Sequence, residues 1–386
     1  MQMTIIIAIG FIQAFFFTIL ALTKKKKEIA DYILVALFLI LCVHLGVNYI
    51  MLSDYIEEYP HFIGTSGPLS FLYGPLLFFF IRNYISDKHS FKPKYLLHFV
   101  PFIADYIYNS LHFYFQSGDQ KIIAFHEILS GKPDFEIAIS LVLRSLSPLV
   151  YCLWSVKVLS VHRKNLKNLY SFTSNKLTLE WLWNLTLSML IVGASAMIMN
   201  LIIVFFDMAD WIQLRMIVMV IASFWVFFLG FYSVRKTPFY KSYHIDGLNT
   251  LELDEVTNQP EKYEKTRLRE EEIPDLKKKL LDYLEESKPY LNKNLTIGEL
   301  ADSIEIPAYQ LSQLINDQLR KSFFELINSY RVNEVKLRFF EPQYKNLTLL
   351  GIAMDCGFNS KASFNRIFKQ LAGQTPTEYI KTKKAA

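Results

Sequence analysis

Seven long apolar segments in the first 234 residues constrain the fold of this chain more than any other feature of its sequence. About 20 helical residues cross the ~30 Å hydrocarbon core of a bilayer, and each segment is long enough to do so. The segments lie near residues 3–22, 32–52, 66–85, 95–115, 136–159, 182–206 and 212–234. Glycine and proline interrupt the third and fourth, which membrane helices tolerate where neighbouring helices satisfy the freed backbone groups. The sequence therefore predicts an all-α fold in which residues 1–240 form a seven-helix transmembrane bundle.

Basic residues are distributed unevenly over the connections between these segments. The first, third and fifth connections, counted with the adjoining helix ends, hold thirteen lysines and arginines, whereas the second, fourth and sixth hold two, Lys121 and Lys132. Basic residues accumulate on the cytoplasmic side of membrane proteins. The cluster Lys24–Lys27 also follows the first segment, whereas a cleaved signal peptide carries its charge before the apolar stretch. We therefore expect a multi-pass protein of the bacterial inner (cytoplasmic) membrane, with its N-terminus outside and its C-terminus in the cytoplasm.

Two charged residues lie deep within the apolar segments, Asp105 in the fourth and Arg144 in the fifth. At 1.5 Å per residue both lie roughly 15–18 Å from the cytoplasmic helix ends, so their side chains can pair. An unpaired charge at that depth costs several kcal/mol. One interpretation makes Asp105, Arg144 and His98 a signal site, and the other makes the two charged residues a structural ion pair. Arg215, near the outer end of the last segment, is expected to extend its guanidinium outward.

The last third of the chain has the composition of a soluble protein. Residues 241–275 carry ten acidic and five basic side chains and few apolar ones, which predicts an acidic cytoplasmic linker. Residues 276–386 carry seventeen basic and twelve acidic side chains, a net charge of +5. This modestly basic balance is compatible with nucleic acid as a partner but does not demonstrate one.

The C-terminal region contains an internal repeat. Asn294-Leu295-Thr296 recurs 52 residues later as Asn346-Leu347-Thr348, and the apolar positions that follow recur with it. Beyond the turn of each copy the offset becomes 53. Each copy predicts two short helices joined by a tight turn, a helix-turn-helix, and a capping box formed by Thr296 and Glu299 opens the first. The amphipathic stretch from Phe323 to Phe340 predicts one longer helix between the copies.

The second copy carries a longer motif. It reads Gly357-Phe358-Asn359-Ser360-Lys361-Ala362-Ser363-Phe364-Asn365-Arg366-Ile367-Phe368-Lys369, followed by Gly373-Gln374-Thr375-Pro376 and Tyr379. This pattern resembles the signature of the AraC/XylS transcription regulators. The resemblance implies that residues 276–386 are a double helix-turn-helix domain whose recognition helices enter successive major grooves of double-stranded DNA. The sequence departs from the family pattern at Arg320, where the family favours glycine, at Gln313, where it often has arginine, and at Ile380, which replaces another arginine.

The outward positions of the two recognition helices are the candidates for DNA contact. Asparagine and glutamine pair bidentately with adenine, and arginine and lysine pair with guanine. The candidates for base readout are Tyr309, Gln310, Ser312 and Gln313 in the first unit and Lys361, Ser363, Asn365 and Arg366 in the second. The candidates for phosphate contacts, which position the protein without specifying sequence, are Lys321, Arg331 and Lys369. For each single residue, a solvated surface position without a DNA contact is the alternative.

These features favour a membrane-bound one-component transcription regulator. A small-molecule or membrane signal sensed in the seven-helix domain would control sequence-specific DNA binding. The sequence contains no metal-ligand spacing, phosphate-binding loop or nucleophile motif, so we expect neither a cofactor nor enzymatic activity. The alternative is a membrane transporter or membrane-embedded enzyme with a regulatory C-terminal domain. A homodimer formed through the membrane domain would add avidity, although no sequence feature requires one.

Overall fold

The computed structural model describes residues 2–85, 93–130, 134–172, 179–205, 211–234 and 268–385. Over these residues the chain is helical and contains no β-strand, which confirms the predicted all-α class. The helices form two compact units. The first comprises Met1–Leu159 and Glu180–Thr237, and the second comprises Ser160–Leu179 and Pro238–Ala386. The second unit is therefore assembled from two separate stretches of the chain.

The first unit is a set of apolar helices. They are α1 (Gln2–Leu22), α2 (Ile29–Met51), α3 (Ser70–Ile85), α4 (Val100–Asn109), α5 (Gly118–Ser130), α6 (Phe135–Leu169, of which the residues from Ser160 onward belong to the second unit), α7 (Glu180–Phe205) and α8 (Trp211–Val234). Helix α1 packs against α2 and α8, α2 packs against α3, and α7 packs against α8. In length and composition, α1, α2, α6, α7 and α8 could each cross a membrane.

The third and fourth predicted segments take a different form. Helix α3 has 16 residues, about 24 Å of rise, and contains Pro75. The fourth segment begins as a 3₁₀ helix, Pro93–Phe99, continues as α4 with Pro101 in its first turn, and ends in a π-turn, Ser110–Tyr114. Pro101 lies in the first turn of α4, where a helix tolerates proline, whereas Pro75 inside α3 removes one backbone donor from that helix. The count of seven spans remains a prediction.

Helix α5 lies in a connection that contains no apolar run of spanning length. Phe125 on this helix packs into a cluster with Val47 and Met51 of α2. Lys121, one turn earlier, is buried and donates from its ammonium to the carbonyl of Tyr114 at 2.8 Å. Apolar packing therefore holds the helix against the end of α2, and the hydrogen bond of Lys121 joins it to the end of the fourth segment.

The second unit holds the repeat. Its helices are α9 (Ile273–Glu286), α10 (Ile297–Ser303), α11 (Ala308–Gln313, continued by a π-turn Leu314–Gln318), α12 (Phe323–Arg338), α13 (Leu349–Asp355), α14 (Lys361–Ala372) and α15 (Pro376–Ala385). Helix α9 begins inside the predicted linker 241–275, and most of that linker lies outside the described residues. The boundaries between the three predicted domains therefore remain predictions.

Each copy of the repeat builds its own apolar core, and α12 contributes to both. Leu326 and Ile327 of α12 lie in the first core, whereas Val332 and Val335 lie in the second. The side chains of α12 alternate between the two cores at helical spacing, as an amphipathic helix with two buried faces must. This confirms the predicted connecting helix, which joins the two helix-turn-helix units.

The two copies share backbone detail. The N–H of Ile306 donates to the carbonyl of Ala301 at 3.1 Å, and the N–H of Phe358 donates to the carbonyl of Ala353 at the same distance. The residue before each donor is left-handed, with φ +54° at Glu305 and φ +91° at Gly357. A left-handed residue closes a helix by turning the chain back onto its last carbonyls.

Side-chain caps define where the helices of the repeat begin. The predicted capping box is confirmed, because Thr296 Oγ1 accepts from the N–H of Glu299 at 3.2 Å and Glu299 Oε2 accepts from the N–H of Thr296 at 2.9 Å. The pair Ser322 and Glu325 opens α12 in the same way. Each cap satisfies backbone donors that the first turn of a helix leaves without partners.

A single glycine should relieve strain at the end of the first unit. Arg320 is exposed and left-handed at φ +52°, and the equivalent residue of the second copy, Gly373, has φ +75°. Left-handed backbone costs an L-residue roughly 1 kcal/mol and glycine nothing. We expect Arg320→Gly to raise the free energy of unfolding of the second unit by about 1 kcal/mol relative to Arg320→Ala, which removes the same charge and retains the strain. Urea-dependent pulse proteolysis measures the difference, and equal stability of the two variants would contradict it.

Candidate nucleic-acid interface

The predicted recognition helices are α11 and α14, the second helix of each unit. Their buried faces consist of apolar side chains packed on the core, Leu311, Leu314 and Ile315 in the first unit and Phe364, Ile367 and Phe368 in the second. Phe368 contacts Phe364 and Tyr379 edge to face. This packing fixes how each helix is rotated and so determines which side chains point outward.

The second recognition helix presents most of its candidate residues to solvent. Lys361, Asn365, Arg366 and Lys369 are exposed. Ser363 is half-buried, and its N–H donates to Ser360 Oγ at 3.2 Å, which caps the helix. The exposed side chains lie three or four residues apart or adjacent, so they share one face of α14.

The first recognition helix is more engaged with its own unit. Tyr309 is exposed, whereas Gln310, Ser312 and Gln313 are half-buried. Gln313 Oε1 accepts from the N–H of Leu268 at 3.4 Å, and Ser312 Oγ accepts from Asn316 Nδ2 at the same distance. As placed, these side chains are less available to DNA than those of α14. The role of all these candidates in base readout remains a prediction.

Arg331, expected at a phosphate, is instead buried at the centre of the unit, with 1% of its surface exposed. Its Nε donates to the carbonyl of Tyr290 at 2.7 Å, and its Nη2 donates to the carbonyl of Asn292 at 2.8 Å. Its Nη1 donates to the carbonyl of Ser171 at 2.9 Å, and its Nη2 also donates to Ser171 Oγ at 3.0 Å. The prediction of a phosphate contact was therefore wrong, because the guanidinium is buried and donates its hydrogen bonds to acceptors within the protein.

Burial lowers the pKa of Arg331 to about 10, so the guanidinium remains charged at neutral pH. Among the described residues Arg331 forms no ion pair. Its positive charge is stabilised by the dipoles of the backbone carbonyls that accept its hydrogen bonds, those of Tyr290, Ser171 and Asn292. Asn328, one turn earlier on α12, donates to the carbonyl of Ser171 at 2.9 Å. Ser171 is thus held by two side chains of α12.

The end of α6 completes the first core. Leu166, Leu169 and Tyr170 are buried in the same cluster as Leu280 and Leu300. Arg163, Lys164 and Lys167, which fall between the buried positions, are exposed. The last turns of α6 are therefore amphipathic, and their apolar stripe packs on the first core of the second unit.

Backbone contacts fix the register of this segment. The N–H of Ser171 donates to the carbonyl of Leu295 at 3.2 Å, and Ser171 Oγ donates to the same carbonyl at 2.7 Å. Tyr170 forms an antiparallel bridge with Thr296, the residue that caps α10. We name residues 160–172, with these contacts, the docking segment.

A second charged network holds Tyr290, whose carbonyl receives Arg331. Glu334 Oε2 accepts from Lys288 Nζ at 3.1 Å and from the Tyr290 hydroxyl at 3.3 Å, and its Oε1 pairs with Arg338 at 2.9 Å. Burial acts to raise the pKa of Glu334, but the hydrogen bonds from Lys288 and Arg338 outweigh it, and the pKa lies below its usual value. Glu334 is therefore ionised at neutral pH.

The structure brings together two of the three residues predicted as a signal site. Arg144 Nε and Nη2 both donate to Asp105 Oδ2, at 2.9 and 2.8 Å, within the first unit. His98 lies elsewhere, with its Nδ1 2.6 Å from the Tyr151 hydroxyl and its ring among Phe78, Phe79 and Trp154. Arg215 also departs from expectation, since its Nε donates to Asn48 Oδ1 at 2.9 Å.

Comparison with known proteins assigns the C-terminal region. The helix-turn-helix domain family matches residues 300–382. Uncharacterized HTH-type transcriptional regulators of Staphylococcus aureus strains COL and MSSA476 are each 32% identical over 98 residues, 25% of this chain and 12% of theirs. No solved structure matches the chain. The predicted AraC-type helix-turn-helix domain is therefore confirmed at the C-terminus, and the likeness spans only about an eighth of the relatives' length.

Proposed function

We propose that this chain is a membrane-bound one-component transcription regulator that binds double-stranded DNA through two helix-turn-helix units. The observation that carries the proposal is the exposed face of α14, where Lys361, Asn365, Arg366 and Lys369 project from a helix fixed by its aromatic core. Asparagine and arginine on one helix face match the donor and acceptor pattern of adenine and guanine in the major groove.

The surface of the first unit supports a location in the membrane. Large apolar side chains are exposed along its helices, among them Phe16 at 57%, Ile198 at 59% and Phe224 at 65%. In water such a surface would aggregate, whereas in a bilayer it faces hydrocarbon. The uneven distribution of basic residues favours a cytoplasmic C-terminus, where the second unit can reach DNA.

The docking segment gives a physical route for a signal. Helix α6 is continuous from Phe135 to Leu169, and its residues from Ser160 onward belong to the second unit. A displacement of α6 in the first unit would act directly on the contacts of Ser171 with Arg331 and Asn328. In the proposed function, a signal that moves α6 changes the stability of the first helix-turn-helix unit and hence DNA affinity.

DNA binding is tested with the full chain in lipid nanodiscs and a library of genomic fragments. We expect selection of a preferred sequence, and Asn365→Ala to weaken binding to it about tenfold or more, because each good base contact contributes about 1–3 kcal/mol of discrimination. Gln370→Ala, an exposed polar residue on the same helix, is the matched control and should leave affinity unchanged. Lys369→Ala should weaken all sequences alike and reduce the salt dependence, as a phosphate contact does.

Binding without sequence preference, equally weakened by Asn365→Ala and Gln370→Ala, would contradict the regulator. It would favour the alternative of a membrane transporter or membrane-embedded enzyme with a regulatory C-terminal domain. The length of DNA that the protein protects tests for a homodimer. Two chains should protect twice the length that one double helix-turn-helix covers.

A further inference from the structure

A cavity of about 560 Å³ lies within the first unit. Its size is in the range of small-molecule sites, ~300–1,000 Å³. The apolar part of its wall includes Leu41, Leu45, Met189, Val192, Met219 and Trp225, from helices α2, α7 and α8. Such a lining suits a ligand with an apolar body, and the few polar groups on the wall determine which ligand.

The ion pair on the cavity wall is already balanced. Asp105 Oδ2 accepts two N–H groups of Arg144, and Asp105 Oδ1 accepts from Ser140 Oγ at 3.1 Å and from Asn109 Nδ2 at 3.3 Å. Gly67 admits the guanidinium, because a Cβ at this position would lie 2.4 Å from Arg144 Nη1. Asp105 and Arg144 therefore neutralise each other and leave no net charge for a ligand.

Arg215 also lines the cavity, and among the described residues no carboxylate pairs with it. Its Nε donates to Asn48 Oδ1, and the amide nitrogen of Asn48 is occupied by the carbonyl of His44 at 2.8 Å and by Ser66 Oγ at 3.3 Å. Over the residues that the structure describes, Nη1 and Nη2 of Arg215 have no hydrogen-bond acceptor and no carboxylate partner. A planar guanidinium with two free terminal nitrogens is the geometry that receives a carboxylate bidentately.

An orphaned acceptor on the same wall also indicates a missing partner. Asn200 is 6% exposed, and its Nδ2 donates to the carbonyl of Leu141 at 3.0 Å. Its Oδ1 is buried without a hydrogen-bond partner in the described part of the chain. Buried polar groups in native proteins are nearly always hydrogen-bonded, so the missing partner of Asn200 Oδ1 is a hydrogen-bond donor, and this oxygen does not bear on the recognition of an anion.

Two acidic residues also border the cavity, but at the start of α6. Asp134 and Glu136 are exposed, and Glu136 accepts from the Tyr108 hydroxyl. Glu136 precedes Arg144 by eight residues, about 12 Å along the helix. These two carboxylates are exposed, whereas Arg144 and Arg215 are half-buried.

We propose that the cavity binds an organic carboxylate with an apolar body. The carboxylate accepts from the terminal nitrogens of Arg215, and the body lies along the leucine and methionine wall. The site deepens the proposed function and rests on it, since occupation of a cavity lined by α6 would be the signal. The same chemistry could come from a free carboxylate or from an anionic lipid of the bilayer.

The test uses the full chain in phosphatidylcholine nanodiscs and ω-bromoundecanoate, whose bromine quenches tryptophan. We expect saturable quenching that Trp225→Phe reduces. Arg215→Gln should raise the Kd at least about tenfold, because a charge-assisted pair is lost, while Arg215→Lys should give an intermediate Kd. ω-Bromoundecanol, the uncharged analogue, should bind at least about tenfold more weakly. Lys157→Gln, an exposed site on α6 outside both the cavity and the docking segment, is the matched control.

Equal Kd values for the carboxylate and the alcohol, or for wild type and Arg215→Gln, would overturn the proposal, as would quenching that never saturates. Repeating the titration in nanodiscs that contain phosphatidylglycerol separates the two sources of the ligand. If phosphatidylglycerol competes with ω-bromoundecanoate, the site binds the anionic lipid. If it does not compete, the site binds the free carboxylate. DNA binding is measured on the same samples. Intact sequence-specific DNA binding without carboxylate binding contradicts only the cavity site, whereas the reverse result contradicts only the regulator.

Discussion

Arg331→Met should destabilise the second unit by about 3 kcal/mol. Methionine fills much of the arginine volume but donates no hydrogen bonds, so the carbonyls of Tyr290 and Asn292 and the hydroxyl of Ser171 lose their donor. Each buried acceptor left without a partner costs roughly 1 kcal/mol or more. Removal of a buried charge offsets part of this cost. Urea-dependent pulse proteolysis of the full chain in nanodiscs measures the free energy of unfolding.

The location of the effect is as informative as its size. Hydrogen exchange should accelerate in the docking segment as well as in α12, because Arg331 joins the two. Arg269→Met is the matched control, since that side chain is 83% exposed and should change stability by less than about 0.5 kcal/mol. If Arg331→Met accelerates exchange in α12 while the docking segment keeps its protection, the segment is held by its apolar contacts and Arg331 does not join it to the unit.

Gly357→Ala should have an effect of similar size, about 3 kcal/mol, on the same unit. The residue is left-handed at φ +91°, and a Cβ would lie 2.5 Å from the carbonyl oxygen of Tyr290, 2.8 Å from Arg331 Nε and 3.0 Å from the carbonyl oxygen of Leu291. Backbone carbonyls cannot withdraw as a flexible side chain can, so the turn or the Arg331 site must open. Left-handed strain adds roughly 1 kcal/mol. Thermal and urea unfolding of the full chain test the prediction.

Gly373→Ala separates the two causes. Gly373 is also left-handed, at φ +75°, but a Cβ there would meet nothing within 4 Å. This control should cost only the conformational strain, about 1 kcal/mol. Glu305, the residue of the first copy that is equivalent to Gly357, is also left-handed and carries a side chain. The left-handed backbone alone therefore does not require glycine at this turn. If both alanine variants cost the same, steric contact with the Arg331 site contributes nothing and the interpretation of Gly357 is wrong.

The repeat shows what local sequence can predict. The capping box at Thr296 and the long helix between the copies were readable because the interactions that form them lie within a few residues. The left-handed residues that follow the second helix of each unit can be predicted in the same way. Arg320 in the first copy is equivalent to Gly373 in the second, which marks a position that favours glycine. Short-range hydrogen bonds and helical periodicity leave a direct trace in the sequence.

The contacts of Arg331 could not be predicted in this way. A charged residue on an amphipathic helix ordinarily faces solvent, and its partner here, Ser171, is 160 positions away in the chain. Arg215 is comparable, because its partner Asn48 is 167 positions away. No periodicity or motif links such pairs, so their pairing becomes visible only in three dimensions. The pairing of Asp105 with Arg144 was predictable because consecutive helices are usually neighbours.

The split origin of the second unit has a consequence for biosynthesis. The docking segment leaves the ribosome before α7 and α8, whereas the helix-turn-helix units leave it last. The newly made helix-turn-helix region therefore folds against a segment already in place, since regions fold as they emerge. A chain whose α6 has been misplaced would lack the partner of Arg331 and would yield a weakened domain exposed to proteases. If the chain is the membrane regulator proposed above, this dependence would restrict DNA binding to chains whose α6 has been correctly inserted.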